Sequence, residues 1–126
     1  MTTPLRALLL AASLVGALPV AARADGELDP SFATSGIAIA DLGSDDAAVV
    51  AAALAPGGRI VLAGDVPGAK DRDLVVAAFT STGAPDASFA AIGRVTADFG
   101  GVEQASGIAP DHDGTIVVVG TRLKDG

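Results

Sequence analysis

The 126-residue chain contains no cysteine, no tryptophan and no tyrosine, and a single histidine. The lack of cysteine excludes a disulfide framework, a thiolate zinc site and a cysteine nucleophile. With His112 alone, a histidine metal triad is excluded as well. The only aromatics are Phe32, Phe79, Phe89 and Phe99, too few for a platform that stacks bases or sugars. Positive charge is also scarce: eight Lys and Arg stand against fifteen Asp and Glu, a net of −7. The two lysines, Lys70 and Lys124, are scattered and form no basic patch. An acidic chain of this kind repels phosphate backbones and anionic lipid, so neither nucleic acid nor a membrane surface is an expected partner.

What is present points to turns and short strands. Sixteen Gly and seven Pro exceed the usual background and supply many chain reversals. Half of the residues are hydrophobic, but many of these are Ala, which removes little area from water. The core therefore falls to the four Phe and the β-branched residues.

The first 24 residues have the three parts of a secretory signal. The amino terminus and Arg6 give a positive start, Ala7 to Leu18 is an uncharged apolar run, and Ala22-Arg23-Ala24 is a small-x-small cleavage site after Pro19. The run is 12 residues long, short of the roughly 20 that span a bilayer. Cleavage is expected between Ala24 and Asp25, placing the mature chain in the periplasm or outside the cell with no membrane span. Loss of Arg6 and Arg23 leaves six basic and fifteen acidic residues, a net of −9.

The remainder repeats itself. Leu28-Asp29-Pro30-Ser31-Phe32 aligns with Pro85-Asp86-Ala87-Ser88-Phe89 at an offset of 57, and Gly36, Asp41 and Gly43 meet Gly93, Asp98 and Gly100. Further on, Gly58-Arg59-Ile60-Val61 falls on Gly114-Thr115-Ile116-Val117 and Gly64 on Gly120, at an offset of 56. Self-similarity at a fixed period marks a repeat architecture. The expected organisation is a signal peptide over 1–24, a first unit over 25–82 and a second, C-terminally shortened unit over 83–126.

Each unit reads as strands. Gly36–Ala40 alternates short and long side chains and predicts a first strand. Ala47–Leu54 sets Ala48, Val50, Ala52 and Leu54 on one face at period 2, and predicts a second. Pro56-Gly57-Gly58 is a tight turn, and Arg59–Ala63 completes a hairpin. Val66–Arg72 is expected to be a polar loop, Asp73–Thr80 a fourth strand and Ser81-Thr82-Gly83 a turn. The predicted fold is all-β: four-stranded antiparallel meanders, one complete and one partial, behind a signal helix. One such sheet cannot bury both faces, so it must stack on neighbours, radially as in a propeller or linearly as in a solenoid.

Asp25-Gly26-Glu27-Leu28-Asp29-Pro30-Ser31-Phe32, the stretch Asp41-Leu42-Gly43-Ser44-Asp45-Asp46-Ala47-Ala48, and Leu54–Gly64 together resemble the delta-60 repeat. The resemblance covers the whole mature chain. It implies an exported, β-propeller-like array, usually of many copies, whose function is uncharacterised. Ala33 and Gly57 depart from that family's usual Gly and Asp, and the second unit has Pro85 for Leu and Ala87 for Pro.

Candidate site residues are few. Asp111-His112-Asp113-Gly114 offers Asp111 and Asp113 as ligands for a cation, but lacks the alternating Asp frame and distant Glu of a calcium loop, and matches a hairpin turn. Asp45-Asp46 and Asp71-Arg72-Asp73 are paired acids; catalytic use would need burial or neighbours that split their pKa values. Asp29 and Asp86 read as turn-forming residues, and Asp41 and Asp98 as strand-end hydrogen-bond partners. Pro56-Gly57-Gly58 and Gly100-Gly101 lack the Lys-Ser/Thr of a phosphate loop. No cofactor is expected. The expectation is a non-enzymatic scaffold or binding surface for a protein or surface ligand, closed by further repeats or by homo-oligomerisation. The alternatives are a fragment of a longer array and, more remotely, a hydrolase using the paired acids.

Overall fold

A computed structural model describes residues 26–124. The expected signal peptide and its cleavage site lie outside the described residues. Among them no helix is long and apolar enough to cross a membrane.

The chain is all-β. Strands β1 (Ala48–Leu54), β2 (Ile60–Pro67), β3 (Arg72–Phe79) and β4 (Arg94–Ala97) form an antiparallel sheet in the order β1-β2-β3-β4. Strands β5 (Val102–Pro110) and β6 (Ile116–Leu123) form a second, two-stranded antiparallel sheet. No barrel closes among the described residues.

The second and fourth predicted strands and their turns are present, but two expectations need correction. The predicted loop over Val66–Arg72 is only the stretch 68–71, because Val66 and Pro67 continue β2 and Arg72 opens β3. Pairing of Val66 with Asp73 and of Pro67 with Arg72 extends the hairpin through this polar sequence. The predicted strand Gly36–Ala40 does not form; Ile37 makes one isolated bridge, to Thr34. Among the described residues no strand lies beside it to pair with. At the offset of 57 this segment corresponds to β4, which is a strand because Arg94–Ala97 pairs with Ala77–Leu74 of β3. The four-stranded sheet thus takes three strands from the first sequence unit and its fourth from the second.

Both faces of β3 are covered, and this explains its near-continuous apolar run, which would alternate with polar residues if one face met water. On one face Leu42, Val66, Val75, Ala77 and Phe79 form a buried cluster, against which Ala38, Ala40 and Ala47 pack. On the other face Ala55, Val61 and Ala78 meet Phe89, Ile108 and Ile116 from the second unit. Val61 and Ala78 are wholly excluded from solvent. The face of β1 that carries Leu54 is open to water, with Leu54 at 74% exposure.

The repetition seen in sequence recurs in backbone detail. Phe32 N–H donates to the Asp29 carbonyl at 2.9 Å, and Phe89 N–H to that of Asp86 at 2.9 Å. Gly36 N–H reaches the Phe32 carbonyl and Gly93 N–H the Phe89 carbonyl, both at 2.8 Å. Ala33 and Ala90 follow those Phe with φ of 44° and 50°, a left-handed conformation that favours glycine. The hairpins match as well: Ala55 N–H donates to the Arg59 carbonyl, and Asp111 N–H to that of Thr115, each at 2.7 Å. A β-bulge falls between Val49 and Ala51 in β1 and between Ala105 and Gly107 in β5, again at an offset of 56.

Candidate functional site

The turn over Asp111–Gly114 joins β5 to β6 on the surface, as the hairpin reading expects. Asp113 Oδ1 accepts the Thr115 N–H at 2.8 Å, and that bond leads the effects that hold its carboxyl below the usual carboxylate value. Asp111 Oδ1 accepts the His112 N–H at 2.6 Å and also contacts the His112 ring. Both carboxylates thus serve the turn itself.

Other acids are likewise engaged in local structure. Asp29 and Asp86 each accept both the backbone N–H and the hydroxyl of the Ser two residues on, at 2.9 and 2.6 Å for Ser31 and 3.0 and 2.5 Å for Ser88. Asp86 is nearly buried and also pairs with Arg59 at 2.7 Å. Its carboxyl is lowered, first by the Ser88 hydroxyl bond and further by Arg59. Asp41 accepts the Gly43 N–H at 2.8 Å, which is the chief reason its carboxyl is lowered; Arg94, 3.3 Å away, adds to the effect. Asp98 binds the Gly100 N–H in the same way at 2.7 Å.

The two predicted acid pairs meet different fates. Asp46 pairs with Arg72 at 3.2 Å, and Arg72 also holds the buried Asp65. Asp45 stays exposed in a turn. Asp71 and Asp73, by contrast, join Asp98 and Glu103: one carboxylate oxygen of each lies within 4.8 Å of the others. Asp73 stands one step beyond the Leu74–Ala97 pair of β3 and β4, so the antiparallel register sets it opposite Asp98. Asp71 ends the turn before β3, and Glu103 is the second residue of β5.

Burial and like charge meet at this cluster. Glu103 is 2% exposed, and neither of its carboxylate oxygens has a hydrogen-bond partner. Asp73 Oδ1 is also buried without one. The Asp73 carboxyl is raised, first by burial and then by the charges of Asp98 and Asp71. Arg122 is cross-strand from Glu103, but its guanidinium donates to the Phe99 carbonyl at 2.6 Å. Lys70 and Lys124 line the adjoining cavity of about 340 Å³ with Asp71 and Asp98, and no ion pair joins either lysine to the cluster. Glu103 went unnoticed in the sequence because it lies in no acidic motif; only the packing of β5 against the first sheet brings it to the others.

A second feature is apolar. Phe32, Ala38, Ala40, Ile60, Leu62 and Phe79 line a shallow cavity of about 200 Å³ on the first sheet. Phe89, Val95, Ile116 and Val118, at offsets of 57 or 56 from Phe32, Ala38, Ile60 and Leu62, line a corresponding cavity of about 260 Å³. Among the described residues, the wall that Phe79 of β3 gives the first has no counterpart in the second, and β6 pairs with β5 alone. Phe99 shows the same gap. Its equivalent Leu42 is buried against Val66 and Val75, whereas Phe99 is 60% exposed.

Comparisons with family models, with curated proteins and with solved structures return no match to this chain.

Proposed function

We propose that the chain is an exported, delta-60-like segment of a β-propeller-type array and acts as a non-catalytic scaffold. Its binding surface is the open edge of β6, and the occupant is a strand of the β3 kind. One observation carries this reading: the sheet of the first unit is completed by β4, which belongs to the second. Sheets here are therefore built across unit boundaries, and a unit is complete only beside its neighbour. The second sheet has β5 and β6 in the places of β1 and β2, with the same bulge and the same hairpin. A strand like Arg72–Phe79, apolar and ending in Phe, would satisfy the free backbone groups of β6, wall the cavity beside Phe89 and cover Phe99. Strand addition of this kind draws affinity from main-chain hydrogen bonds and specificity from alternate side chains. The reading as a piece of a longer array rests on the same open edge, the strand then coming from a further copy.

The test is a titration of a labelled peptide with the sequence of Arg72–Thr80 onto the purified chain, followed by fluorescence anisotropy. Saturable binding is expected, with none for a scrambled peptide. Equal signals from both peptides, or no binding at about 1 mM, near the weak end of specific affinity, defeat the proposal. Light scattering of the free chain adds an arm: an oligomer that excludes the peptide would mean that copies of the chain close the edge themselves.

A further inference from the structure

We propose that Asp71, Asp73, Asp98 and Glu103 form a binding site for a hard divalent cation, with Ca²⁺ the best match, at one end of the two sheets. Two independent observations carry it. The first is convergence: one oxygen from each of four carboxylates lies within 4.8 Å of the others. Oxygens bound to one Ca²⁺ at 2.3–2.6 Å are at most about 4.6–5.2 Å apart, so the four suit a common centre. The second is Glu103 itself. Its side chain is removed from water, points an oxygen into the cluster, and has no donor for either oxygen. An ionised carboxylate so placed is costly unless a cation or a donor meets it.

Among the described residues no side chain supplies such a partner. Arg122 is committed to the Phe99 carbonyl, and Lys70 and Lys124 stay in the neighbouring cavity. Four carboxylates provide up to eight oxygens, which suits the six to eight that Ca²⁺ takes. Mg²⁺ demands a tighter octahedron, keeps several waters and is usually held through one or two carboxylates, so a convergence of four favours Ca²⁺. The ligands come from the turn before β3, from β3, from the residue after β4 and from β5. A bound ion therefore ties the four-stranded sheet to the two-stranded one, where the four negative charges otherwise push them apart.

The test uses the full chain, stripped with EDTA, in calorimetric titrations with CaCl₂ and, separately, MgCl₂. One Ca²⁺ per chain is expected, with a Kd of about 10⁻³ M or tighter, the range of extracellular modules. Ca²⁺ should raise the melting temperature well beyond the effect of equal Mg²⁺. Glu103→Gln keeps the shape of the side chain and removes its charge, so it should weaken Ca²⁺ binding at least about tenfold through the lost ligand charge. In EDTA the same variant should melt higher than the parent, a crossover that general acidity does not produce. Asp111→Asn with Asp113→Asn should bind as the parent does. The proposal fails if the parent binds no Ca²⁺ at about 10 mM, ten times the weakest expected Kd. It also fails if Ca²⁺ and Mg²⁺ act alike, or if Glu103→Gln binds as well as the parent. Should Glu103→Gln not fold, Asp71→Asn, in the turn, should show the same tenfold loss, and unchanged binding there overturns the site. A chain that binds Ca²⁺ but not the strand peptide refutes the array reading alone.

Discussion

Gly64 offers the sharpest test of the repeated bulge. A Cβ built there would lie 1.9 Å from the Ala48 carbonyl oxygen and 3.0 Å from Val49 Cα. These are backbone atoms of β1, at the point where Val49 pairs with Gly64 and the register slips before Ala51. In Gly64→Ala the strands must separate by more than about 1 Å to reach ordinary contact distance. Such a shift breaks one or two ladder hydrogen bonds at about 1 kcal/mol each. The overpacking adds about 1–3 kcal/mol. Taken together the loss is about 2–5 kcal/mol, or roughly 8–40 °C in melting temperature for a domain of this size. Thermal unfolding followed by circular dichroism near 215 nm reads this directly. Gly107→Ala is the internal control: its Cβ meets only Val119 Cγ2, at 3.3 Å, a side chain that can give way. That variant should stay within about 1 kcal/mol of the parent. Gly57→Ala probes conformation alone, since nothing lies within 4 Å but φ is +77°; about 1 kcal/mol is expected. If Gly64→Ala and Gly107→Ala melted together, the close approach of β1 to β2 at the bulge would be refuted.

Further outcomes follow from the paired turns and from Asp86. Ala33→Gly and Ala90→Gly, at φ of 44° and 50°, should each stabilise the fold by about 0.5–1 kcal/mol, the relief of left-handed strain less the added entropy of Gly. Denaturant midpoints that fall in either variant would contradict this. Asp86 has a folded pKa below its unfolded value, through the Ser88 hydroxyl, the Ser88 N–H and Arg59. Its contribution is therefore present above about pH 4, the unfolded value, and is lost as pH falls through the lower folded value. The gap in melting temperature between the parent and Asp86→Asn should be widest near neutrality and narrow below pH 4. A gap that does not change with pH would rule out this role for the carboxylate.

Much of this chain's local structure was legible in its residues. Pro56-Gly57-Gly58 and Asp111–Gly114 are turns because Pro fixes φ and Gly accepts positive φ, and the runs around them alternate as strands do. The Asp-x-Ser-Phe turns were likewise marked by residues two apart that bond one another. Those are short-range effects, contained within a few neighbouring residues. Pairing is not. Ile37–Ala40 and Arg94–Ala97 occupy the same place in their units, yet only the latter is a strand, because only it lies beside a β3. The limits of β2 and β3 also depended on register, which carried pairing through a stretch whose polarity suggested a loop. The acidic cluster was decided wholly by tertiary structure. Asp71, Asp73, Asp98 and Glu103 are brought together by the β3–β4 register and the packing of β5, and the charge on Glu103 acquires its meaning from burial that no local pattern records.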